Sequence, residues 1–465
     1  MTKDGTQFIF ETVLYTAIRD GLEVELKEAI SEFNIFENLD KTYLTASMLI
    51  GDDMGLMSDI QIKGDEGVKI IIAKNPKLGD SSPYFRLDFK VVSILREEKT
   101  ADRSEVYSIN LISKHGYDNS VAKLSKSFTG KLEKISENIL ENYLDVRLSM
   151  DEKYVGREGS EQEVVKVLLP YISPLESVEW LTERATDRWG TPFFIWASIW
   201  GQGMSPSTTL RLGNFMTMVQ EGINNLPPPG NLDFIYSQVS TNENSPEGYQ
   251  GAKRIIKNIE FSNIENTLKM VQEGAVGSVI SNLDTYTSQD VSKHFDLKEF
   301  LQSLNGGEEN GKILGSVYDQ KDKIKLGGQT LSTSEWPARQ RSTVSSYGTY
   351  ANVNSIHEAI DESALLNKVR PLSIRSMLSR NMLEINIDGI GLLEDRLSVG
   401  DIIRIRFLTS DTERDAEINE GTERSGYYLI QNCRHIFTRE RHNAVLFVSK
   451  IAASDIANDG SVFAS

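Results

Sequence analysis

The sequence predicts an α+β, β-rich chain in which two strand-rich blocks flank a different middle block, and three observations predict it. Runs with period-two alternation fill the first third and return from Leu383 onward. Between them, apolar residues recur at helical spacing. The length of 465 residues exceeds what one compact core can organise and points to about three domains.

The first strands are read at Leu22–Leu26, Leu44–Asp53, Asp59–Lys63, Val68–Ala73, Phe85–Val91 and Glu105–Leu111. Gly64, Asn75-Pro76 and acidic residues punctuate them, the pattern of a small antiparallel barrel or sandwich. The composition changes near Ser113. Leu132, Ile135, Ile139, Leu140, Tyr143 and Leu144 then mark a helix within Lys131–Arg147. Ser173, Pro174 and Glu176 read as N-cap, first helical residue and third, a capping box, for a helix ending near Trp189-Gly190. Phe193–Ala197 follows as a buried strand.

Leu226-Pro227-Pro228-Pro229-Gly230 is the strongest breaker. A helix over Pro246–Ile256, capped by Asn244 or Ser245, is expected next, and strands from Asn258 to Asn305. Asn305–Asn354 is rich in Gly, Ser and Gln, has weak periodicity and reads as an extended loop or arm. Ser355–Asn381 reads as a helix broken by Pro371. Strands at Leu383–Ile387, with a turn at Asp388-Gly389, and at Ile402–Phe407 precede a closing hairpin of Gly426–Asn432 and Asn443–Ile451. The residues after Ser454 are small and polar and are expected to fray.

Fifty Lys and Arg against 67 Asp and Glu give a net charge of −17, which argues against a nucleic-acid coat, because duplex binding needs a basic face. Met1–Asn75 alone holds fourteen acidic and seven basic residues, either a solvated face or a surface that repels nucleic acid. Cys433 is the single cysteine, which is read as excluding an internal disulfide framework and a thiolate zinc site; a buried structural thiol is expected. The N-terminus has no basic stretch followed by an apolar core, and no run of 18 apolar residues occurs, so neither export nor membrane insertion is expected.

A search for chemistry finds little. The five histidines, at 115, 294, 357, 435 and 442, show no His-Glu-x-x-His spacing. His435 and His442 flank an expected turn, but no third metal ligand stands at a telling distance in the sequence. No Gly-x-Ser-x-Gly elbow is present. Gly306–Lys312 matches the first seven positions of a phosphate-binding loop, yet Ile313 cannot supply the hydroxyl for magnesium, and Glu308 and Glu309 would oppose phosphates. Trp180, Trp189, Phe193, Phe194, Trp196 and Trp200 cluster either as a carbohydrate platform or, better, as helix-to-strand core packing. No catalytic, cofactor-binding or metal residue is assigned, and an enzyme is not expected.

The C-terminal order is a helix over Ile356–Met377, then Met382–Gly389, Leu397–Ile405 with its Val399-Gly400-Asp401 turn, Tyr427–His435 and Asn443–Val448. This order resembles the baseplate central hub proteins of contractile-tailed, myovirus-type phages, the tail-hub family. Gly51-Asp52-Asp53 ahead of Ile60–Ile70 is similar to the first hub domain. Leu268–Ser278, with Gly274 and Ser278, and Asp284 look like the strand pair opening the second. Gly400 and Asp401 suit such a turn, one by its permissive backbone and the other by bonding nearby amides. Asn305–Asn354 departs from the family, and the chain is longer than is usual for it.

The resemblance implies two similar tail-tube-like antiparallel β-barrel domains, residues 1–115 and residues 231–304 with 355–452. An α+β domain at 116–230, an insertion at 305–354 and a flexible tail at 453–465 complete the division. It further implies a homotrimer whose six barrels match a six-fold tail tube above, with a three-fold spike below. The implied partners are the central spike protein, the tail tube protein or a tube initiator, the tape-measure protein and wedge or other baseplate subunits. Genomic DNA would pass without specific binding. The location would be the virion baseplate, assembled in the host cytoplasm, or the equivalent part of a genome-free contractile injection particle. Trp336, amid the insertion, is a candidate partner contact. A carbohydrate- or receptor-binding tail protein is the alternative.

Overall fold

The computed structural model describes residues 8–15, 23–26, 28–53, 64, 66–74, 83–101, 104–155, 165–200, 209–227, 233–237, 254–264, 267–284, 289–304, 313–314, 325–326, 329–330, 340–344, 350–352, 366–367, 369–409, 419–420, 424–438 and 441–453. The first block supplies β1 Phe8–Tyr15, β2 Glu23–Glu25, β3 Ile30–Asn38, β4 Thr45–Asp52, β5 Gly67–Lys74, β6 Pro83–Ala101 and β7 Ser104–Ser113. The middle block holds β8 Ser127–Gly130, β9 Leu148–Ser149, β10 Val165–Leu168, β11 Phe193–Ser198 and β12 Thr209–Asn214. β13 Phe234–Ser237, β14 Asn258–Ile264, β15 Gly277–Asp284, β16 Gln289–Asp296, β17 Lys325–Leu326, β18 Gln329–Thr330, β19 Gln340–Val344 and β20 Tyr350–Asn352 come next. The chain closes with β21 Asn381–Asp388, β22 Ile402–Thr409, β23 Asn419–Glu420, β24 Gly426–Thr438 and β25 His442–Ala453.

The expected β-rich, antiparallel architecture is present, with one difference in how the blocks relate. Among the described residues no sheet closes on itself. Instead one 14-stranded sheet runs β14-β21-β25-β24-β3-β4-β7-β6-β5-β1-β2, with β13, β22 and β23 attached beside β24. The two strand-rich blocks are joined where β24 pairs antiparallel with β3 over seven residue pairs, from Asn432↔Asn38 to Thr438↔Glu32. β6, at 19 residues, outruns its expected length, and register shifts against β7 after Val91 and Arg96 let it keep pairing while it bends.

β11 explains how the middle block is held. All six of its residues are buried. Phe193, Ile195 and Ala197 belong to the apolar core of the first block, whereas Phe194 and Trp196 belong to the core of the last. Alternation along a strand sends neighbours to opposite faces, so a strand covered on both faces reads as an unbroken apolar run. Four of the six clustered aromatics are therefore core residues, as expected. Trp180 and Trp189 are half-buried under the guanidinium groups of Arg184 and Arg188.

Local chemistry sets several boundaries. The capping box forms: both the amide and the hydroxyl of Ser173 donate to Glu176 Oε2, at 2.9 and 2.7 Å, and these bonds hold the Glu176 carboxyl down to about 2. Its helix, Pro174–Arg184, stops five residues before Trp189. Pro371 lies in the first turn of the helix Arg370–Arg380, where a missing N–H costs nothing, and residues 355–365 of the expected helix lie outside the described residues. Gly389 starts the helix Gly389–Asp395 where a turn was expected, with the Asp388 side chain capping Ile390 N. Arg404 and Asp233, both buried, pair at 2.5 Å, and Arg404 also donates to the Pro227 carbonyl, so the proline-rich breaker is tied to β22.

Part of the expected arm is paired. β19 lies parallel to β15, β20 pairs with β10, and Ile313 is a core residue bridging Ala452. Gly306–Lys312, the strand expected at Asp59–Lys63 and most of the helix expected over Pro246–Ile256 lie outside the described residues. No helix among those described is long and apolar enough to cross a membrane.

His115 offers a test of the packing between the first and middle blocks. Its Nε2–H donates to the Thr42 carbonyl at 2.9 Å, and Thr42 Oγ1 donates to Glu179. Burial lowers the imidazole from 6.5 to about 4, so the folded protein keeps it neutral where the unfolded chain takes up a proton. The His115 contribution to stability is complete above pH 6.5 and falls as the pH drops from 6.5 towards 4, by about 3 kcal/mol. Denaturant melts across this range, with His115→Gln alongside, are expected to show a flatter profile for the variant. Parallel profiles would place the acid sensitivity elsewhere.

Candidate functional site: a buried polar junction of three blocks

Cys433 and His435 are two residues apart on β24 and so share a face. The register of β3 sets Glu37 directly opposite Cys433, and that of β25 sets His442 opposite Phe437, two residues past His435. Glu37, Cys433, His435 and His442 are each at most 2% exposed. Cys433 Sγ lies 3.2 Å from His435 Nε2, Glu37 Oε2 lies 3.2 Å from the same nitrogen, and His435 Nδ1 lies 3.1 Å from His442 Nε2.

The other oxygen of Glu37 holds the remaining blocks. Oε1 accepts from the Ile199 amide and from Ser398 Oγ, each at 2.9 Å. Ser198 Oγ stands 3.2 Å from Ser398 Oγ and accepts from the Trp200 amide, while the Trp200 indole donates to the Leu397 carbonyl. One carboxylate thus collects donors from the middle block and from two segments of the last. Burial, and then Glu37, pushes the Cys433 thiol up. Burial, and then His435, holds His442 well below the usual imidazole range.

The Val399-Gly400-Asp401 turn follows Ser398 directly. Asp401 Oδ2 accepts from the Ser398 amide at 2.9 Å. Oδ1 accepts from Lys153 Nζ and Tyr154 Oη, each at 2.8 Å, and Arg211 in turn donates to Tyr154. Gly400 N donates to the Ile430 carbonyl and Ile430 N to the Asp401 carbonyl, which locks the turn onto β24. Gly400 has φ +90°, and a Cβ there would come within 2.6 Å of the Trp196 ring, so both backbone and space require glycine. A cavity of about 250 Å³ opens beside Asp401, lined by Tyr154, Met218, Pro227, Phe234 and Ile403 among others.

The remaining residues singled out by sequence lie apart. Gly51 and Asp52 end β4; Asp52 is buried 3.5 Å from the Tyr107 hydroxyl, and a Cβ at Gly51 would meet Ser31 Oγ at an ordinary contact distance of 3.9 Å. Gly274, at φ +73°, ends the helix Thr267–Glu273, which stands where a strand was expected. Ser278 is buried on β15 and Asp284 ends that strand. Trp336 lies outside the described residues. Sequence reading found His435, His442 and Cys433 but missed Glu37, which is 398 positions from His435. Glu37, Cys433 and His435 each present one ligand atom, all within 4.8 Å of one another, and so form, among the described residues, a group that could hold a metal ion.

Two substitutions probe the turn. Gly400→Ala is expected to lower the unfolding free energy by about 3 kcal/mol through backbone strain and overpacking against Trp196. Asp401→Ala strips the acceptor from Lys153, Tyr154 and the Ser398 amide and is expected to cost about 3–5 kcal/mol. Urea titration measures both, and a loss below about 1 kcal/mol in either would show that the turn adapts.

No protein-family model and no curated protein matches the sequence. Solved structures do match. A tail protein from Neisseria meningitidis aligns with a TM-score of 0.51 at 10% identity, covering 95% of this chain and 96% of that one. The 43 kDa tail protein of prophage MuSo2 from Shewanella oneidensis gives 0.47 at 10% identity over 95% and 98%. A component of the E. coli type VI secretion system gives 0.41 at 8% identity over 91% and 73%. At such low identity the first likeness establishes architecture, and this chain shares the fold of the N. meningitidis tail protein over nearly the whole of both molecules.

Proposed function

We propose that this chain is a structural protein of a phage-type tail and, within the tail, the subunit of the baseplate hub. The observation that carries the reading is the joining of the first and last blocks side by side in one antiparallel sheet, in a fold shared end to end with a tail protein. Three such subunits in a closed ring offer six strand-rich blocks to a six-fold tube above and keep three-fold symmetry for a spike below. The segment Leu397–Ile405, part of the C-terminal block on which the resemblance to tail hubs rests most strongly, forms the turn and strand that lock onto β24. The carbohydrate-binding alternative gains no support, because Trp196 and Trp200 are buried.

In this role the partners are a central spike protein, the tube or its initiator, the tape-measure protein and neighbouring baseplate subunits, while DNA crosses the ring without being held. Three copies carry −51 from a net −17 each. Acid facing a channel repels phosphate over about 8–10 Å at physiological salt, where a basic wall would bind it.

Light scattering on the chain with its spike partner is expected to give three copies, and two or four would sink the ring. Cryo-electron microscopy of the assembled particle is expected to find the chain between tube and spike, with a lumen richer in Asp and Glu than in Lys and Arg. Trp336→Ala is expected to leave the trimer intact and impair baseplate assembly; normal particles from this variant would refute a partner contact there.

A further inference from the structure

We propose that Glu37, Cys433 and His435 form a binding site for one borderline divalent cation of the zinc class, with His442 positioning the imidazole ligand. The donor set is the first ground. A thiol, an imidazole nitrogen and a carboxylate oxygen converge within 4.8 Å, a mixed N/O/S set that suits zinc or cobalt and disfavours magnesium and calcium. The spacing is the second. A tetrahedral ion with ordinary zinc bond lengths separates its donors by about 3.3–3.7 Å. His435 Nε2 lies 3.2 Å from both Cys433 Sγ and Glu37 Oε2, close to that separation.

The surroundings are the third ground. Two of the three ligands are already oriented from behind. His435 Nδ1 meets His442 Nε2 at 3.1 Å, and the far oxygen of Glu37 is fixed by the Ile199 amide and Ser398 Oγ. Such outer partners fix the ring and carboxylate of metal ligands. Charge is the fourth. Among the described residues Glu37 pairs with His435, at 3.2 Å, and not with a lysine or arginine. A carboxylate at 1% exposure is favoured by a paired charge, and a bound cation supplies one. One N–H on Nε2 cannot serve both the carboxylate and the sulfur, whereas a cation satisfies both at once. The set is one ligand short of a closed tetrahedral site. Because the ligands are buried, the ion enters as the chain folds, and binding adds to stability.

The test uses the full chain, produced in zinc-supplemented medium and desalted, and separately unfolded and refolded with Co²⁺ alone. Elemental analysis is expected to give about one zinc per chain, and the cobalt form a thiolate-to-metal charge-transfer band. X-ray absorption on the unsubstituted protein is expected to show one sulfur and at least one imidazole in the coordination shell. Cys433→Ser is expected to abolish the band, and His442→Gln to weaken cobalt binding about 10–100-fold while leaving the band in place. A metal-free chain that shows no band after refolding with cobalt overturns the site and leaves a proton-held network. So does a coordination shell without sulfur, or a band that survives in Cys433→Ser. The absorption measurement needs no substitution, so a variant that fails to fold leaves the proposal open to refutation.

Discussion

The ladder between β3 and β24 is the constraint on which the rest of the molecule depends. It turns two strand-rich blocks, far apart in sequence, into one sheet, and its register sets Glu37 against Cys433. A shift by a single residue would turn every side chain of β3 to the opposite face. Phe33 and Ile35 would then leave the apolar core, and Glu37 would lose Ile199, Ser398 and His435 together. The apolar and the polar demands on this strand therefore select the same alignment.

Buried polar groups in the junction act as alignment features between elements that apolar packing alone would leave free to slide. Glu37 accepts from the middle and last blocks, and Asp401 accepts from Lys153 and Tyr154 of the middle block as well as from its own turn. A buried acceptor pays its desolvation only when its donors are in place, so misaligned arrangements are penalised by unsatisfied groups. β11 supplies the complementary apolar constraint by sending alternate residues into two cores. Specificity here comes from the two kinds of interaction agreeing at one place.

What sequence could reveal follows from how local each cause is. The capping box at Ser173 and Glu176, the apolar run Phe193–Ala197 and the closing hairpin were legible because their determinants lie within a few residues. Gly400 and Asp401 were legible as a turn, but Trp196 and Lys153, which make that turn matter, come from elsewhere in the chain. β3 was missed because buried residues on both faces blur its alternation, and Glu37 reads as a surface acid. The segment Thr267–Glu273 reads as a strand, although the positive-φ Gly274 that follows it is a helix-ending signal. Pairing between β3 and β24 has no local signature at all. The junction was thus visible as separate residues and invisible as a site.

The order of synthesis gives this ladder a temporal cost. β3 is complete at Asn38, but its partner strand ends at Thr438, 400 residues later. At roughly 5–20 residues per second, the ribosome needs on the order of 20–80 seconds to deliver it. Throughout that interval the first block carries an open strand edge, and Glu37 has met neither Ser398 nor His435. Such an edge can recruit β3 from another nascent chain as readily as it waits for its own β24. Crowding of many copies on one messenger would therefore favour exchange between chains, and slow elongation through the middle block would lengthen the exposure.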